Sequence, residues 1–144
     1  MSATTSVETY TLALPQTGKL LLKDEVVAET AVAQIRTYTR NGIAIASPSG
    51  RFDAFAAQPL RSWLDNVIAA QSAKVIVNLS KVNFIDSSAI AILMRGLKYC
   101  QQNDGDLYLC GLQQPVRIIA ELMRLNTVFS IFADEEEAIA AFTK

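Results

Sequence analysis

Residues 82–91 read Val-Asn-Phe-Ile-Asp-Ser-Ser-Ala-Ile-Ala, and this stretch decides how the chain is interpreted. It follows residues 75–79, a short β-branched run that is typical of a strand buried on both faces of a sheet. It precedes a stretch to about residue 103 whose apolar residues recur with the period of a helix. Asp86, Ser87 and Ser88 are all residue types that favour the N-cap position, so one of them is expected to cap this helix. The segment therefore predicts the junction between a central strand and the helix after it.

Upstream of this junction the pattern predicts a hairpin and then a helix. Asn41-Gly42 separates two apolar runs, and this dipeptide favours a type I′ turn because both turn residues adopt positive φ. Residues 48–50 are expected to end the second strand, and Arg51, Phe52 and Asp53 to form a loop. A helix follows over residues 56–70, with Pro59 in its first turn, where a missing N–H costs nothing. Downstream we predict a strand at 106–112, a helix at 115–125 with Val116, Ile119, Leu122 and Met123 inside, a strand at 128–132, and a helix that begins with the acidic residues 134–137.

The order of these elements predicts an α/β fold. It corresponds to a mixed, mainly parallel sheet of about four to five strands with about four helices, some of which cross over between strands. With 144 residues, the chain fits one domain, which we place at residues 34–144. Residues 1–33 sustain neither period: residues 10–12 fit a strand and residues 24–33 fit a short helix. We interpret them as an N-terminal extension whose order the sequence leaves open.

Composition excludes several classes of function. The formal charge of −1 lacks the basic excess of a nucleic-acid or anionic-membrane binder. The chain has no histidine, which removes Ser-His and Cys-His nucleophile pairs and histidine metal ligands. There is no Gly-rich phosphate loop and no G-x-S-x-G motif. The sequence therefore predicts a protein that is not an enzyme and that holds no metal or cofactor.

The two cysteines and the hydropathy pattern indicate a cytoplasmic protein. Cys100 and Cys110 have no zinc-site spacing and lie among apolar residues, so they are interpreted as two buried thiols rather than a disulfide or redox pair. The N-terminal residues lack the basic and apolar regions of a signal peptide. No apolar run approaches the ~20 residues that cross a bilayer. We predict no membrane insertion.

The helix after residue 86 has two different faces when it is phased at ~100° per residue. Ile90, Leu93, Met94, Leu97 and Gln101 form the predicted core stripe. The opposite stripe carries Ser88, Ile92, Arg95 and Tyr99, a hydroxyl and a cation beside an apolar and an aromatic residue. This combination is typical of a docking surface, and the alternative is a set of scattered apolar residues on an ordinary surface.

At this point the residues resemble a known family, the STAS domains, and within it the bacterial anti-sigma factor antagonists. The resemblance lies in the strand at 75–79, in Phe-Ile-Asp-Ser-Ser at 84–88 before an apolar helix, in Gly-Arg-Phe-Asp at 50–53, and in the acidic start of the last helix. It covers residues 34–144. The chain departs from the family at Ala89, where the family usually has glycine.

The resemblance implies a regulatory binding protein. In this family a serine at this helix start is phosphorylated by a partner that is both anti-sigma factor and kinase, the unphosphorylated form binds that partner, and a PP2C-type phosphatase resets the cycle. By motif position the phosphoacceptor is Ser88, with Ser87 as second choice. The implied partner-binding residues are Arg51, Asp53, Asp86, Ser87 and Ser88, to which the helical phase adds Ile92, Arg95 and Tyr99.

Two readings of the function remain at this stage. The first is the phosphorylation-switched antagonist, for which we expect Ile92→Glu to abolish partner binding without unfolding the chain. The second keeps the fold but makes the protein a constitutive scaffold or accessory subunit, as in a stress-signalling assembly or a lipid-transport system. The sequence does not indicate the oligomeric state.

Overall fold

Seven strands form one mixed sheet in the computed structural model, which describes residues 8–11, 34–70 and 73–143. The strands run antiparallel from β1 to β2 and from β2 to β3, and every other pairing is parallel. The elements in chain order are β1 (Glu8–Thr11), β2 (Gln34–Arg40), β3 (Ile43–Phe52), α1 (Ala54–Ala70), β4 (Lys74–Asn78), β5 (Lys81–Ile85), α2 (Ser87–Gln102), β6 (Asp106–Cys110), α3 (Gln114–Leu122), β7 (Ser130–Phe132) and α4 (Glu135–Phe142).

Strand β3 is the centre of the topology. Its edge opposite β2 pairs first with β4 and then, further along, with β5. Ser49 has register partners on both sides, Gln34 of β2 and Lys81 of β5. Beyond β4 the sheet continues through β6 to β7. Strands β4 and β5 therefore lie end to end along one long strand, and β5 delivers the chain to the start of α2.

The predicted α/β class, the mixed and mainly parallel sheet and the four helices are confirmed. The sheet has more strands than the four to five predicted. One of them, β5, is the segment that we expected to connect a central strand to a helix. Another, β1, lies within the predicted extension and pairs with β2. The short helix considered for residues 24–33 lies outside the described residues.

Strand β3 is longer than its sequence suggests. The Asn41-Gly42 turn has positive φ at both residues, as the type I′ prediction requires. The expected end at residues 48–50 is wrong, as is the loop at Arg51 and Phe52. Gly50 has a φ of 86°, and the register shifts between Gly50 and Arg51, so a bulge lets the strand continue to Phe52. Pairing with β5 stabilises this second half.

Helices α1, α2 and α3 cover one face of the sheet, and α4 covers the other. Alternate residues of β3 serve the two faces, with Ala44 and Ala46 in the larger core and Ile43 and Ile45 under α4. Helix α1 begins two residues earlier than predicted, so Pro59 lies in its second turn rather than its first. Pro59 has no N–H to donate to the carbonyl of Phe55, four residues earlier in the helix.

Helix α4 is held to the sheet by a half-buried polar cluster centred on Glu135. Its carboxylate accepts hydrogen bonds from the hydroxyl of Tyr38, from Nη1 of Arg40 at 2.8 Å and from Nδ2 of Asn78 at 2.8 Å. Burial and the hydrogen bond to Glu135 raise the pKa of the Tyr38 phenol. Asp134 caps the helix by accepting from the N–H of Glu137. The acidic start of the last helix thus has a structural role on the face away from α2.

Helix α3 differs from its prediction. It ends at Leu122 and is followed by a single 3₁₀ turn at Leu125–Thr127. Val116 and Ala120 are its buried residues, whereas Leu122 is 76% exposed and Met123 about half exposed. The predicted inner face is therefore wrong for these two side chains, because Leu122 lies on the side of α3 away from Val116 and Ala120, and Met123 follows the last helical residue.

Candidate functional site

Two paired parallel strands end at the same level, and each leads directly into a helix. Phe52, the last residue of β3, is the register partner of Ile85, the last residue of β5. Asp53 and Asp86 follow them and stand immediately before α1 and α2. The N-termini of both helices consequently meet at one edge of the sheet, where α/β proteins usually place their binding sites.

An aspartate caps each of these helices in the same way. Oδ1 of Asp86 accepts the N–H of Ala89 at 2.9 Å, and Oδ1 of Asp53 accepts the N–H of Ala56 at 3.1 Å. The prediction that one of residues 86–88 caps α2 is confirmed, with Asp86 in the role. Ser87 and Ser88 therefore lie in the first turn of α2, and neither side chain is needed for the cap.

The second helical positions of α1 and α2 are both exposed. Ser88 occupies this position in α2, and its side chain faces solvent. Phe55 occupies the matching position in α1 and is 62% exposed. Sequence reasoning missed Phe55, although the spacing from Asp53 to Phe55 repeats the spacing from Asp86 to Ser88. The Ser88 hydroxyl and the exposed ring of Phe55 therefore occupy equivalent positions at the starts of two neighbouring helices.

Arg51 lies on a second exposed aromatic residue next to this edge. Its guanidinium carbon lies 4.0 Å from the ring centroid of Phe84, its register partner on β5. Such stacking is a cation–π contact, worth about 0.5–1 kcal/mol at an exposed site. Nε of Arg51 is also 3.8 Å from Oδ2 of Asp53. Phe84 was not predicted as a site residue, because its strand was read as a connection.

Ile92 is not on the exposed face of α2. It is only 9% exposed and belongs to the main core, so the prediction of an outward-facing Ile92 is wrong. Met94 and Gln101, which were assigned to the core, are exposed instead. The reason is the position of α1: Gly96, one turn after Ile92, approaches Leu64 so closely that a Cβ would lie 2.8 Å from its Cδ1. Helix α1 therefore covers the flank of α2 that carries Ile92.

Arg95 and Tyr99 lie at the cleft between α1 and α2. Arg95 is exposed and donates to Asp65 of α1 at 3.0 Å. Tyr99 is half-buried and packs against the main core. Both line a shallow cleft of about 450 Å³, together with Asp65, Lys98 and Gln102. The structure thus brings Arg51, Asp53, Asp86, Ser87 and Ser88 together at the helix starts and places Arg95 and Tyr99 further along α2.

A protein-family model, described as the STAS domain, matches residues 34–138. This chain belongs to the STAS domain family. The match contains every strand from β2 onward and the helices α1 and α2. The family resemblance of the sequence is thereby confirmed.

Curated proteins and solved structures that are similar to this chain include anti-sigma factor antagonists. The anti-sigma F factor antagonist of Paenibacillus polymyxa is 23% identical over 107 residues, 74% of this chain and 92% of that protein. The crystal structure of an anti-sigma factor antagonist from Mycobacterium paratuberculosis superposes with a TM-score of 0.71 at 20% identity, covering 78% of this chain and 95% of that one. The Bacillus cell fate determinant SpoIIAA, in the phosphorylated form, gives a TM-score of 0.60 at 18% identity, covering 74% and 97%.

The departure of this STAS domain at Ala89 lies in the core. Ala89 has no exposed surface, and its N–H is the donor of the Asp86 cap. Its methyl group therefore points away from the edge where Ser88 and Phe55 are exposed. Alanine in place of glycine leaves the outer surface of the helix start unchanged.

The two thiols of this STAS domain are not placed for chemistry. Cys100 and Cys110 are free and buried, as predicted, and burial raises the pKa of each thiol to about 12. Among the described residues, no group of three or more acidic or cysteine side chains is arranged to hold a metal ion. No helix in the same part of the chain has both the length and the apolar character of a membrane span.

Replacing the cap of α2 tests its structural role separately from the serines. We expect Asp86→Ala to lower the free energy of unfolding by about 1 kcal/mol, because the N–H of Ala89 loses its acceptor. Asp86→Asn is the matched control and should retain most of the stability, since asparagine also caps. Urea denaturation measures both values. Equal stabilities of Asp86→Ala and Asp86→Asn would contradict the capping role.

Proposed function

We propose that this STAS protein is an anti-sigma factor antagonist that binds an anti-sigma factor through the edge where α1 and α2 begin, and that phosphorylation of Ser88 switches this binding off. The observation that carries the proposal is the exposed Ser88 hydroxyl in the first turn of a helix whose cap is supplied by a different residue. The names of the relatives support the same role. The anti-sigma factor is proposed to be the serine kinase as well, with a PP2C-type phosphatase reversing the modification in the cytoplasm.

The helix start accepts a phosphate without unfolding. The first turn of a helix leaves N–H groups without intrahelical acceptors, and its dipole favours negative charge. Because Asp86 rather than Ser88 caps α2, modifying the Ser88 hydroxyl breaks no hydrogen bond of the cap. The effect of the phosphate is therefore expected at the surface, where a partner docks, rather than in the fold.

The surroundings of Ser88 suit a protein partner. Phe55 and Phe84 supply exposed aromatic surface, and Arg51 adds a cation that is stacked and thereby oriented. Aromatic residues and arginine are enriched where protein interfaces concentrate their binding energy. A phosphate of roughly −1.5 to −2 charge in this surface must be desolvated on docking and repels partner carboxylates. Its addition is thus expected to oppose binding.

Ser87 is a second hydroxyl in the same turn but a weaker choice. It occupies the first helical position, directly after Asp86, and is exposed like Ser88. Adjacent helical positions differ by ~100° around the axis, so the two hydroxyls point in different directions. Only Ser88 shares its helical position with the exposed ring of Phe55. The experiment on the phosphoacceptor therefore includes both serines.

Phosphosite mapping tests the proposal directly. The full chain is immobilised, partners are captured from its native cytoplasm, and the captured kinase is incubated with ATP and the purified chain. Mass spectrometry is expected to find one phosphate, on Ser88, and none on Ser88→Ala. Ser87→Ala is the matched control and should be phosphorylated as the wild type is. A phosphate retained by Ser88→Ala would contradict the assignment, and an anti-sigma factor that binds but never modifies the chain would favour a constitutive binder.

A further inference from the structure

We propose that the exposed apolar stripe of α3 pairs two copies of this chain as a weak, two-fold symmetric dimer. Seven large hydrophobic side chains are exposed among the described residues, and four of them fall within eleven residues of sequence. Leu122 is the most exposed of the seven. Ile118 and Leu122 lie on α3 and Met123 is its C-cap, whereas Val128 lines a cleft with Met94 of α2. Exposed apolar side chains that cluster on one helix mark a docking surface rather than scattered apolar residues.

The stripe has a charged border. Ile118 and Leu122 are four residues apart, so they are neighbours on the outer face of α3, opposite the buried Val116 and Ala120. Arg117 and Glu121 are also four residues apart and lie along one side of this apolar pair, where both are exposed. Neither forms an ion pair within the described part of the chain. The border therefore carries one free charge of each sign, one helical turn apart.

This charge pattern is complementary to itself. When two copies of α3 pack antiparallel about a two-fold axis, Arg117 of each copy faces Glu121 of the other, and the apolar pairs meet between them. A two-fold axis forms the same contact twice, so the arrangement gives two ion pairs beside one apolar seam. A parallel arrangement instead places the charged rows of the two copies on opposite sides of the seam, where they do not meet. A second copy of this chain offers a partner for both Arg117 and Glu121. A different protein whose surface carries charges of only one sign would pair with only one of them, so the second copy is favoured.

The proposed contact is small and independent of Ser88. Helix α3 has nine residues, so the surface belongs with the weak interfaces that bury less than about 1,200 Å². We therefore expect a dimer that forms as concentration rises from the micromolar to the millimolar range. The proposed phosphoacceptor lies on α2. A chain that does not dimerise could therefore still be an anti-sigma factor antagonist, and a chain that is not phosphorylated on Ser88 could still dimerise through α3.

Sedimentation velocity of the full chain over this concentration range tests the dimer. Leu122→Glu is expected to raise the dissociation constant at least about tenfold, because each substitution acts twice in a symmetric dimer. Arg117→Glu and Glu121→Arg should each weaken the dimer as well, since both put equal charges opposite each other. The double variant Arg117→Glu/Glu121→Arg restores opposite charges and should recover most of the affinity. Ala140→Glu, an exposed change on α4 at the other face, should leave the dimer unchanged.

Two results would overturn the dimer. If the wild-type chain sediments as a monomer at every concentration, the stripe of α3 does not pair two copies, and a different protein would have to bind it. A double variant that is no tighter than its single parents shows that the charges do not face each other across a two-fold axis. Circular dichroism melts of all the variants establish that each is folded when it is measured.

Discussion

Replacing Ser88 with aspartate is expected to weaken the affinity for the anti-sigma factor at least about 100-fold. This factor corresponds to about 2.7 kcal/mol of binding free energy. The carboxylate places a charge at the sheet edge that also exposes the rings of Phe55 and Phe84, where docking requires its desolvation. The free energy of unfolding should change by no more than about 1 kcal/mol, because Ser88 is exposed and Asp86 still caps α2. Titration calorimetry with the captured anti-sigma factor measures the affinity.

Two variants control for the position and for the loss of the hydroxyl. Ser87→Asp carries the same charge one residue earlier, at a different angle around the helix, and should weaken binding much less. Ser88→Ala removes the hydroxyl without adding charge and should bind as the wild type does. Equal losses for Ser87→Asp and Ser88→Asp would mean that the helix start responds to charge in general, which contradicts a switch specific to Ser88.

Replacing Ile92 with glutamate is expected to lower the free energy of unfolding by more than about 3 kcal/mol, the second large effect. Ile92 lies in the main core under α1, so the substitution buries a carboxylate without a partner and removes apolar contact. This outcome replaces the earlier expectation that Ile92→Glu would affect binding alone. Thermal and urea denaturation measure the change.

Met94→Glu is the matched control for Ile92. It introduces the same side chain two residues later on the same helix, at a position that is 41% exposed. Its stability is expected to stay within about 1 kcal/mol of the wild type. If both variants were equally stable, Ile92 would not be a core residue, and the packing of α1 on α2 would have to differ from the structure.

Local signals predicted the helix starts and the hairpin well. Asn41-Gly42 and Asp86 act through contacts within a few residues, so their sequence context contains most of the information that determines them. The same holds for Asp134 at the start of α4. The Gly50 bulge and β5 were not predicted, because a strand of five residues becomes recognisable only through its pairing partner. Phe84 lies on β5, so it was not predicted as a site residue either.

The faces of α2 and α3 depend on neighbours that are distant in the sequence. Helical phase placed Ile92 opposite the core stripe, yet α1 packs on that flank because Gly96 leaves room for Leu64. Gly96 was the available signal, since a glycine inside a helical pattern often has a packing reason. Leu122 shows the opposite case, an apolar residue that was assigned to the core but lies on the outer face of α3, away from Val116 and Ala120.

The affinity of the phosphorylated chain for its anti-sigma factor tests the central claim most directly. The chain is phosphorylated by the captured kinase, separated from the unmodified form, and both forms are titrated against the same anti-sigma factor. We expect the unmodified form to bind and the form with phosphate on Ser88 to bind at least about 100-fold more weakly. Equal affinities of the two forms would contradict the claim that Ser88 controls binding at the edge where α1 and α2 begin.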